Sequence, residues 1–384
     1  RRHGLETVFL AWLLLLSLSV GAQDETSGEA EESWIPDRPW EAIDLVIALD
    51  TSDSMQNLID AARLSLWDIV NELQLAEPTP ALRVGLLAYG SPAYDKNQGW
   101  VRVETDLTTD LDYVSERLFE LTTSGGSEYV ARALKTAIEE LSWVPSYDAL
   151  KLVFVAGNEP ADQDPEVDFR DTGLLAADEG ISVTVIFCGN PNQEQAETWK
   201  ELALEAEGRF AAIDQRGGPV KVSTPYDQEL VRLSAAMNAT FIPVGENGQE
   251  RQRNLARQDT NASKLSPAAA AARARTKSMP GYTAGWDLIS VMDSGTTLDQ
   301  IDVQDLPDEL QRMSPEEREA YVAEQRAKRE QLRQEIAELS AQRRRSVIEL
   351  VEAKGIDTSK TFDSAVRESI RSQAKDKGFE LPDG

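Results

Sequence analysis

The chain has 384 residues, of which 41% are hydrophobic, and this is enough apolar material for one large folded core with additional segments. Its formal net charge of −28 argues against nucleic acid and anionic membrane as main partners, because both would repel it. The only histidine is His3 and the only cysteine is Cys188. These counts exclude intrachain disulfides, and removal of His3 would also exclude imidazole zinc sites and histidine-dependent catalytic triads.

The N-terminal sequence predicts export. Residues 1–22 open with two arginines, continue with an apolar run and end at Ala22, which is the pattern of a signal peptide cleaved after that residue. The apolar run is shorter than the roughly 20 residues that span a bilayer, so we expect no transmembrane span in the mature chain. An uncleaved anchor is the alternative. Residues 23–40 are acidic and rich in small side chains, and we expect a disordered lead-in there. The predicted location is periplasmic or extracellular.

From residue 41 onward, apolar strand patterns alternate with amphipathic helix patterns. Helices are predicted near residues 55–75, 109–121, 129–141, 170–179, 194–207 and 225–237. Strands are predicted near residues 42–50, 82–90, 100–105, 150–158, 181–189 and 208–214. Because continuous apolar strands followed by helices are typical of a parallel sheet covered on both faces, residues 41–244 are predicted to form an α/β, doubly wound, mostly parallel sheet. Such sheets bind ligands beyond the carboxyl ends of their central strands.

The C-terminal part differs in composition. Residues 245–284 are polar and then alanine-rich, which predicts a flexible linker, with a short helix as the alternative. Residues 285–384 are predicted to be helical, and the sequence Ser-Pro-Glu-Glu from Ser314 begins one long helix that continues to about Lys354. The apolar seam of that helix is compatible with a short coiled coil, although Arg343 interrupts it. The favoured alternative is a helical hairpin that packs on itself or on the main domain.

Polar side chains gather where three predicted strands end. The first strand ends in Asp50-x-Ser52-x-Ser54, which could cap the next helix, activate a serine or bind a metal. A serine nucleophile needs a base; once His3 is removed only a lysine or a carboxylate could serve, and no lysine lies near the motif in sequence. One carboxylate with hydroxyl and amide oxygens suits a hard cation, Mg²⁺ or Mn²⁺, with Ca²⁺ as a further candidate. The predicted ligands are Asp50, Ser52, Ser54, Ser127, Asn158 and Glu159.

The motif, the loop "TTSGGSEYV" around Ser127 and the order of elements over roughly residues 41–240 resemble a von Willebrand factor type A domain of the bacterial exported type, with its metal-ion-dependent adhesion site. The resemblance implies a non-enzymatic protein-binding or adhesion module, in which a divalent cation bridges to an acidic side chain of a partner protein. The competing hypothesis is a metal-free structural scaffold of the cell envelope that assembles through its C-terminal helices. The oligomeric state is left open.

The sequence departs from the family pattern at two positions. Ser127 stands where the family usually has a threonine, and it retains the hydroxyl group. Gly157 stands where the family has an aspartate, so the second carboxylate is missing there. Asn158, Glu159 or Asp162 could substitute for it, directly or through water, and the alternative is a site that binds metal more weakly.

Overall fold

The computed structural model describes residues 41–214, 222–283, 285–357 and 359–381. The predicted signal peptide and acidic lead-in lie outside these residues. Within them, one six-stranded sheet has the spatial order β3-β2-β1-β4-β5-β6. All neighbouring strands are parallel except the edge pair β2 and β3, which is antiparallel. The strands are β1 (Ala42–Asp50), β2 (Ala81–Tyr89), β3 (Val101–Thr108), β4 (Leu150–Gly157), β5 (Ser182–Cys188) and β6 (Arg209–Ile213).

The register brings the ends of three central strands to one place. Asp50 at the end of β1 lies beside Tyr89 of β2, and Leu49 lies beside Ala156 of β4. All three strands are apolar and buried because helices cover both faces of the sheet. The strand order reverses between β1 and β4, and doubly wound sheets bind ligands at such a point. The predicted fold class is therefore confirmed, and it places the Asp50-x-Ser52-x-Ser54 motif at this edge of the sheet.

Two helical layers cover the sheet. The first contains α3, α4 and α5, which pack with one set of strand side chains. The second contains α1, α2 and the last helix of the chain, α12, which share a core with the other set. The helices are α1 (Gln56–Leu73), α2 (Leu111–Glu120), α3 (Val130–Glu140), α4 (Phe169–Asp178), α5 (Gln195–Glu205), α6 (Asp227–Asn238), α7 (Gly248–Leu265), α8 (Pro267–Lys277), α9 (Leu288–Asp293), α10 (Asp308–Gln311), α11 (Pro315–Lys354) and α12 (Phe362–Asp376).

The prediction of a flexible linker over residues 245–284 is wrong. Helices α7 and α8 occupy most of that segment, and the Ser266 hydroxyl caps α8 by accepting a 3.0 Å hydrogen bond from the Ala269 amide. Alanine is the strongest helix former, and its small side chain lets α8 pack closely against α1, α6 and α7. Within α8, the buried Arg273 forms ion pairs with Asp112 of α2 at 2.7 Å and with Asp259 of α7 at 2.6 Å.

The long C-terminal helix forms as predicted. The side chains of Ser314 and Glu317 make reciprocal capping bonds at its start, and Gly355 ends it with a positive φ of 60°. Its seam residues Leu332 and Ile336 are buried in a cluster with Met237 of α6. These two seam residues therefore pack within the chain. No helix in the described ranges has both the length and the apolarity needed to cross a membrane.

Candidate metal centre

Hydrogen bonds tie three loops together at the carboxyl edge of the sheet. The backbone amide and the hydroxyl of Thr51 both donate to the carbonyl of Tyr89, each at 2.8 Å. The amide of Ser124, in the loop before α3, donates to the carbonyl of Thr51 at 2.9 Å. The hydroxyls of Ser91 and Ser124 lie 2.8 Å apart. These contacts fix the loops that follow β1 and β2 against the loop that precedes α3.

Asp50 and Ser52 present oxygen atoms that nothing in the described chain satisfies. Asp50 is fully buried, and its Oδ1 accepts a 2.7 Å hydrogen bond from the Ser52 amide. Asp50 Oδ2 and Ser52 Oγ are buried, and neither makes a hydrogen bond of ordinary geometry among the described residues. The turn Asp53–Met55 and the helix α1 both begin without a side-chain cap. At Ser52, the helix-capping role that the sequence allows is therefore not observed.

Glu128 is the site residue that the sequence reasoning missed. Its Oε2 is buried and makes no hydrogen bond of ordinary geometry among the described residues, and its carboxyl group interacts electrostatically with the carboxyl group of Asp50 and the hydroxyl group of Ser52. Gly90, with a φ of +85°, leaves room for this approach, since a Cβ there would lie 2.9 Å from Asp50 Oδ1 and 3.1 Å from Glu128 Cγ. The predicted ligand Ser127 makes no hydrogen bond to the other candidates in the part of the chain that is described. The sequence "GGSEYV" contains both a hydroxyl and a carboxyl group, Ser127 and Glu128, and either could be the ligand.

The structure accounts for the missing aspartate at Gly157. A Cβ at this position would lie 2.4 Å from Tyr89 Oη and 3.2 Å from Asp50 Oδ2, so a side chain has no room there. The Tyr89 hydroxyl fills that space and donates to the Ala156 carbonyl at 2.9 Å. The Tyr89 hydroxyl therefore occupies the space beside Gly157 that a side chain would need.

Asn158 and Glu159 border the site in different ways. Asn158 Nδ2 donates to Ser54 Oγ at 3.1 Å, and its Oδ1 is buried without a hydrogen-bond partner among the described residues. The Glu159 carboxylate accepts from Gln163 Nε2 at 3.4 Å. Its negative charge raises the pKa of both Asp50 and Glu128, so it lies close enough to act electrostatically.

The electrostatics of the site oppose ionisation of its two acids. Burial is the main cause that raises the pKa of Asp50 to about 6, against the hydrogen bond from the Ser52 amide, which lowers it. Burial, followed by the charges of Asp50 and Glu159, raises the pKa of Glu128 to about 8. A bound cation would reverse these effects, because it stabilises the ionised carboxylates. In the described ranges, no three or more His, Cys, Asp or Glu side chains are arranged as a metal cluster, so neutral oxygens would complete the coordination.

Residues 44–216 match the family model described as the von Willebrand factor type A domain. Among solved structures, proximal thread matrix protein 1 from the mussel byssus is 15% identical with a TM-score of 0.35, and the match covers 45% of this chain and 42% of that one. The chain thus spans about two fifths of that protein's length. A structure of the same mussel protein with a zinc-occupied MIDAS motif has a TM-score of 0.34 at 15% identity over 44% of this chain and 41% of that one. The VWA domain of SpRpn10 has a TM-score of 0.37 at 14% identity, over 47% of this chain and 100% of that one. A comparison with curated protein sequences finds no match.

Proposed function

We propose that this domain is a non-enzymatic module that binds a partner protein through a divalent cation held at the carboxyl edge of the sheet. One observation supports it above the others. Four oxygen atoms at this edge are buried without a hydrogen-bond partner among the described residues: Asp50 Oδ2, Ser52 Oγ, Glu128 Oε2 and Asn158 Oδ1. Buried polar atoms are normally satisfied, so carboxylate, hydroxyl and amide oxygens left without partners at one edge of the sheet support a cation bound there.

The chemistry of these oxygens favours Mg²⁺ or Mn²⁺. Two carboxylates, a hydroxyl and an amide oxygen form a hard, all-oxygen ligand set that leaves coordination positions for water or an outside group. Ca²⁺ prefers six to eight oxygen ligands, which this set reaches less easily. We propose Asp50, Ser52, Glu128 and Asn158 as the inner set, with Ser54 and Glu159 at its border. In this assignment Glu128 takes the role that the sequence assigned to Ser127.

A carboxylate from the partner protein would complete the coordination. Von Willebrand factor type A domains bind protein ligands, and here the exposed Ser54 and the partly exposed Glu159 leave one side of the site open to solvent. Glu128 has a further consequence for affinity. With Asp50 and Glu128 both ionised, the double charge of the cation is already balanced, so we expect an acidic partner to bind less tightly than it would at a site with one carboxylate.

Calorimetric titration of the EDTA-treated full chain with Mg²⁺ and Mn²⁺ tests the proposal. We expect saturable binding that Asp50→Asn abolishes and that Glu128→Gln weakens about tenfold or more, because each removes a charged ligand. Two matched pairs serve as controls. Ser52→Ala should weaken binding and Ser127→Ala should not, and Glu159→Gln should have a smaller effect than Glu128→Gln. Absence of binding by the unmodified protein would reject the metal centre, and an unchanged Glu128→Gln variant would reject its ligand assignment.

The competing scaffold function has less support. It requires the C-terminal helices to present an apolar surface for assembly, yet Leu332 and Ile336 of α11 are buried within the chain. Location outside the cytoplasm, in the periplasm or extracellularly, remains our proposal from residues 1–22. N-terminal sequencing of the protein recovered from its native envelope tests it, and a first residue of Gln23 is the expected result.

A further inference from the structure

The backbone of Trp100 adopts a conformation that bulky residues rarely take. Its φ is +54°, in the left-handed region. Val101, the first residue of β3, lies beside Tyr89 at the end of β2, so Trp100 stands at the edge of the sheet that carries the candidate metal centre. Strained backbone of this kind persists only where the surrounding contacts impose it, and it is common at binding sites.

Two backbone hydrogen bonds hold Trp100 against the loop that follows β2. The Trp100 amide donates to the Asp95 carbonyl at 3.0 Å, and the Trp100 carbonyl accepts from the Gly90 amide at 3.1 Å. Gly90 is the residue that leaves room for Glu128, since a Cβ at Gly90 would lie 3.1 Å from Glu128 Cγ. The backbone of Trp100 therefore fixes one wall of the space that Glu128 occupies.

The indole ring of Trp100 contacts the residue that follows Glu128. The rings of Trp100 and Tyr129 pack edge to face, with centroids 5.3 Å apart and an interplanar angle of 72°. Aromatic pairs favour this arrangement, because the edge of one ring is positive and the face of the other is negative. Tyr129 is the N-cap of α3 and is covalently joined to Glu128, so the ring contact restrains the segment that presents the Glu128 carboxyl group.

The start of α3 is also held by a second loop. Arg132, in the first turn of α3, donates to the two carboxylate oxygens of Asp164 at 2.8 and 3.0 Å and to Glu166 at 3.0 Å. Asp164 and Glu166 lie in the loop between β4 and α4. The residues that follow Glu128 are therefore fixed between the loop before β3 and the loop after β4, and Trp100 supplies the first of these contacts.

We propose that Trp100 is a positioning residue for Glu128, which acts through the ring of Tyr129 and does not itself touch the cation. This role rests on the metal centre proposed above. Residues that orient metal ligands contribute to metal affinity although they bind no metal. Without the indole ring, the Glu128 carboxyl group would sample other orientations, and the cation would lose part of the stabilisation that Glu128 provides.

Calorimetric titration of the EDTA-treated full chain with Mg²⁺ tests the proposal. Trp100→Gly removes the ring, and glycine tolerates the positive φ, so the hydrogen bond from Gly90 can be kept. We expect the Mg²⁺ affinity to fall about tenfold, as is usual when a residue that orients a metal ligand is lost. Trp100→Phe retains an aromatic ring and should keep most of the affinity. In a Glu128→Gln background, Trp100→Gly should have little further effect, because the carboxylate that it positions is absent.

Trp143→Gly is the matched control. Trp143 is partly buried like Trp100, lies just beyond the other end of α3 and donates to the Ala137 carbonyl at 2.9 Å. Its loss should lower the unfolding temperature and leave the Mg²⁺ affinity unchanged, which is the result that a merely structural role of Trp100 would also give. Hydrogen exchange in EDTA provides a readout without metal, since the amides of residues 122–130 should exchange faster in Trp100→Gly than in Trp143→Gly.

A variant of the other ring keeps the test decisive if Trp100→Gly does not fold. Tyr129→Ala should weaken Mg²⁺ binding as Trp100→Gly does. With metal binding by the unmodified protein intact, unchanged affinity of these ring variants, an equal effect of Trp143→Gly, or full additivity with Glu128→Gln would each overturn the role of Trp100 alone. Absence of Mg²⁺ binding by the unmodified protein would overturn the metal centre and this role together, so the two failures are distinguishable.

Discussion

The two acids at the candidate metal centre predict an unusual pH dependence of stability. Each has a higher pKa in the folded protein than in the unfolded chain, so the folded state holds more protons between the two values. The free energy of unfolding then falls as the pH rises through that window. The contribution of these two groups to stability is fully present below about pH 4. It is lost between about pH 4 and 6 as Asp50 ionises, and further up to about pH 8 as Glu128 ionises.

The magnitude follows from the Asp50 value. Raising its pKa from the ordinary 3.8 to about 6 corresponds to about 3 kcal/mol of lost stability once the group is ionised. Glu128 adds to this loss in the same direction. A cation binds the ionised carboxylates, so Mg²⁺ should restore stability at high pH and should have little effect at low pH. At a hundredfold excess over its dissociation constant the gain would be about 2.7 kcal/mol.

Urea unfolding, followed by tryptophan fluorescence at pH 5 and pH 8.5, measures this effect. In EDTA we expect lower stability at pH 8.5, and in Mg²⁺ we expect much of the difference to disappear. The net charge of −28 also disfavours the compact state at high pH, and Glu128→Gln separates the two contributions because it removes one titrating group only. The reasoning is refuted if Glu128→Gln shows the same pH dependence as the unmodified protein, or if Mg²⁺ stabilises equally at both pH values.

Three further predictions concern packing. Gly157→Ala should destabilise the protein by about 1 to 3 kcal/mol through overpacking against the Tyr89 hydroxyl, and Tyr89→Phe should reduce that cost in the double variant, as a urea-based double-mutant cycle would detect. Arg329→Met should cost about 3 to 5 kcal/mol in urea unfolding, because it leaves the fully buried Asp287 without its ion pair at 2.6 Å. Cys188 is buried and burial raises its pKa, so Ellman's reagent at pH 8 should react only upon unfolding, and rapid reaction of the native protein would contradict its placement.

Local pattern was sufficient to predict the sheet, since strands such as Ala42–Asp50 are continuous apolar runs followed by helical periodicity. The candidate site was predicted only in part. Whether Ser127 or Glu128 points to the sheet edge depends on the path of the Gly125-Gly126 loop, which spacing does not determine. The substitution at Gly157 depends on Tyr89, which is 68 positions earlier in the chain. Such contacts between distant segments are set by tertiary packing and leave no periodic signal.

The alanine run of α8 shows a second reason why the sequence alone did not predict the structure. Composition alone does not separate a mobile alanine-rich segment from a helix that alanine allows to pack closely, and the deciding contacts come from other helices. The ion pairs of Arg273 with Asp112 and Asp259 make that packing specific. A charged residue such as Arg273 within an alanine run thus indicates a buried helix only once the acids that pair with it are known.

The position of α12 has a consequence for synthesis. Phe362, Val366 and Ile370 share the sheet's core with residues of β4 such as Phe154, so the last helix of the chain covers a face that the first strands create. On the ribosome, the part of this face that α12 covers would lack its cover until about 200 further residues have followed β4. The apolar surface beneath α12 is therefore exposed during that interval, and it is a natural target for a chaperone.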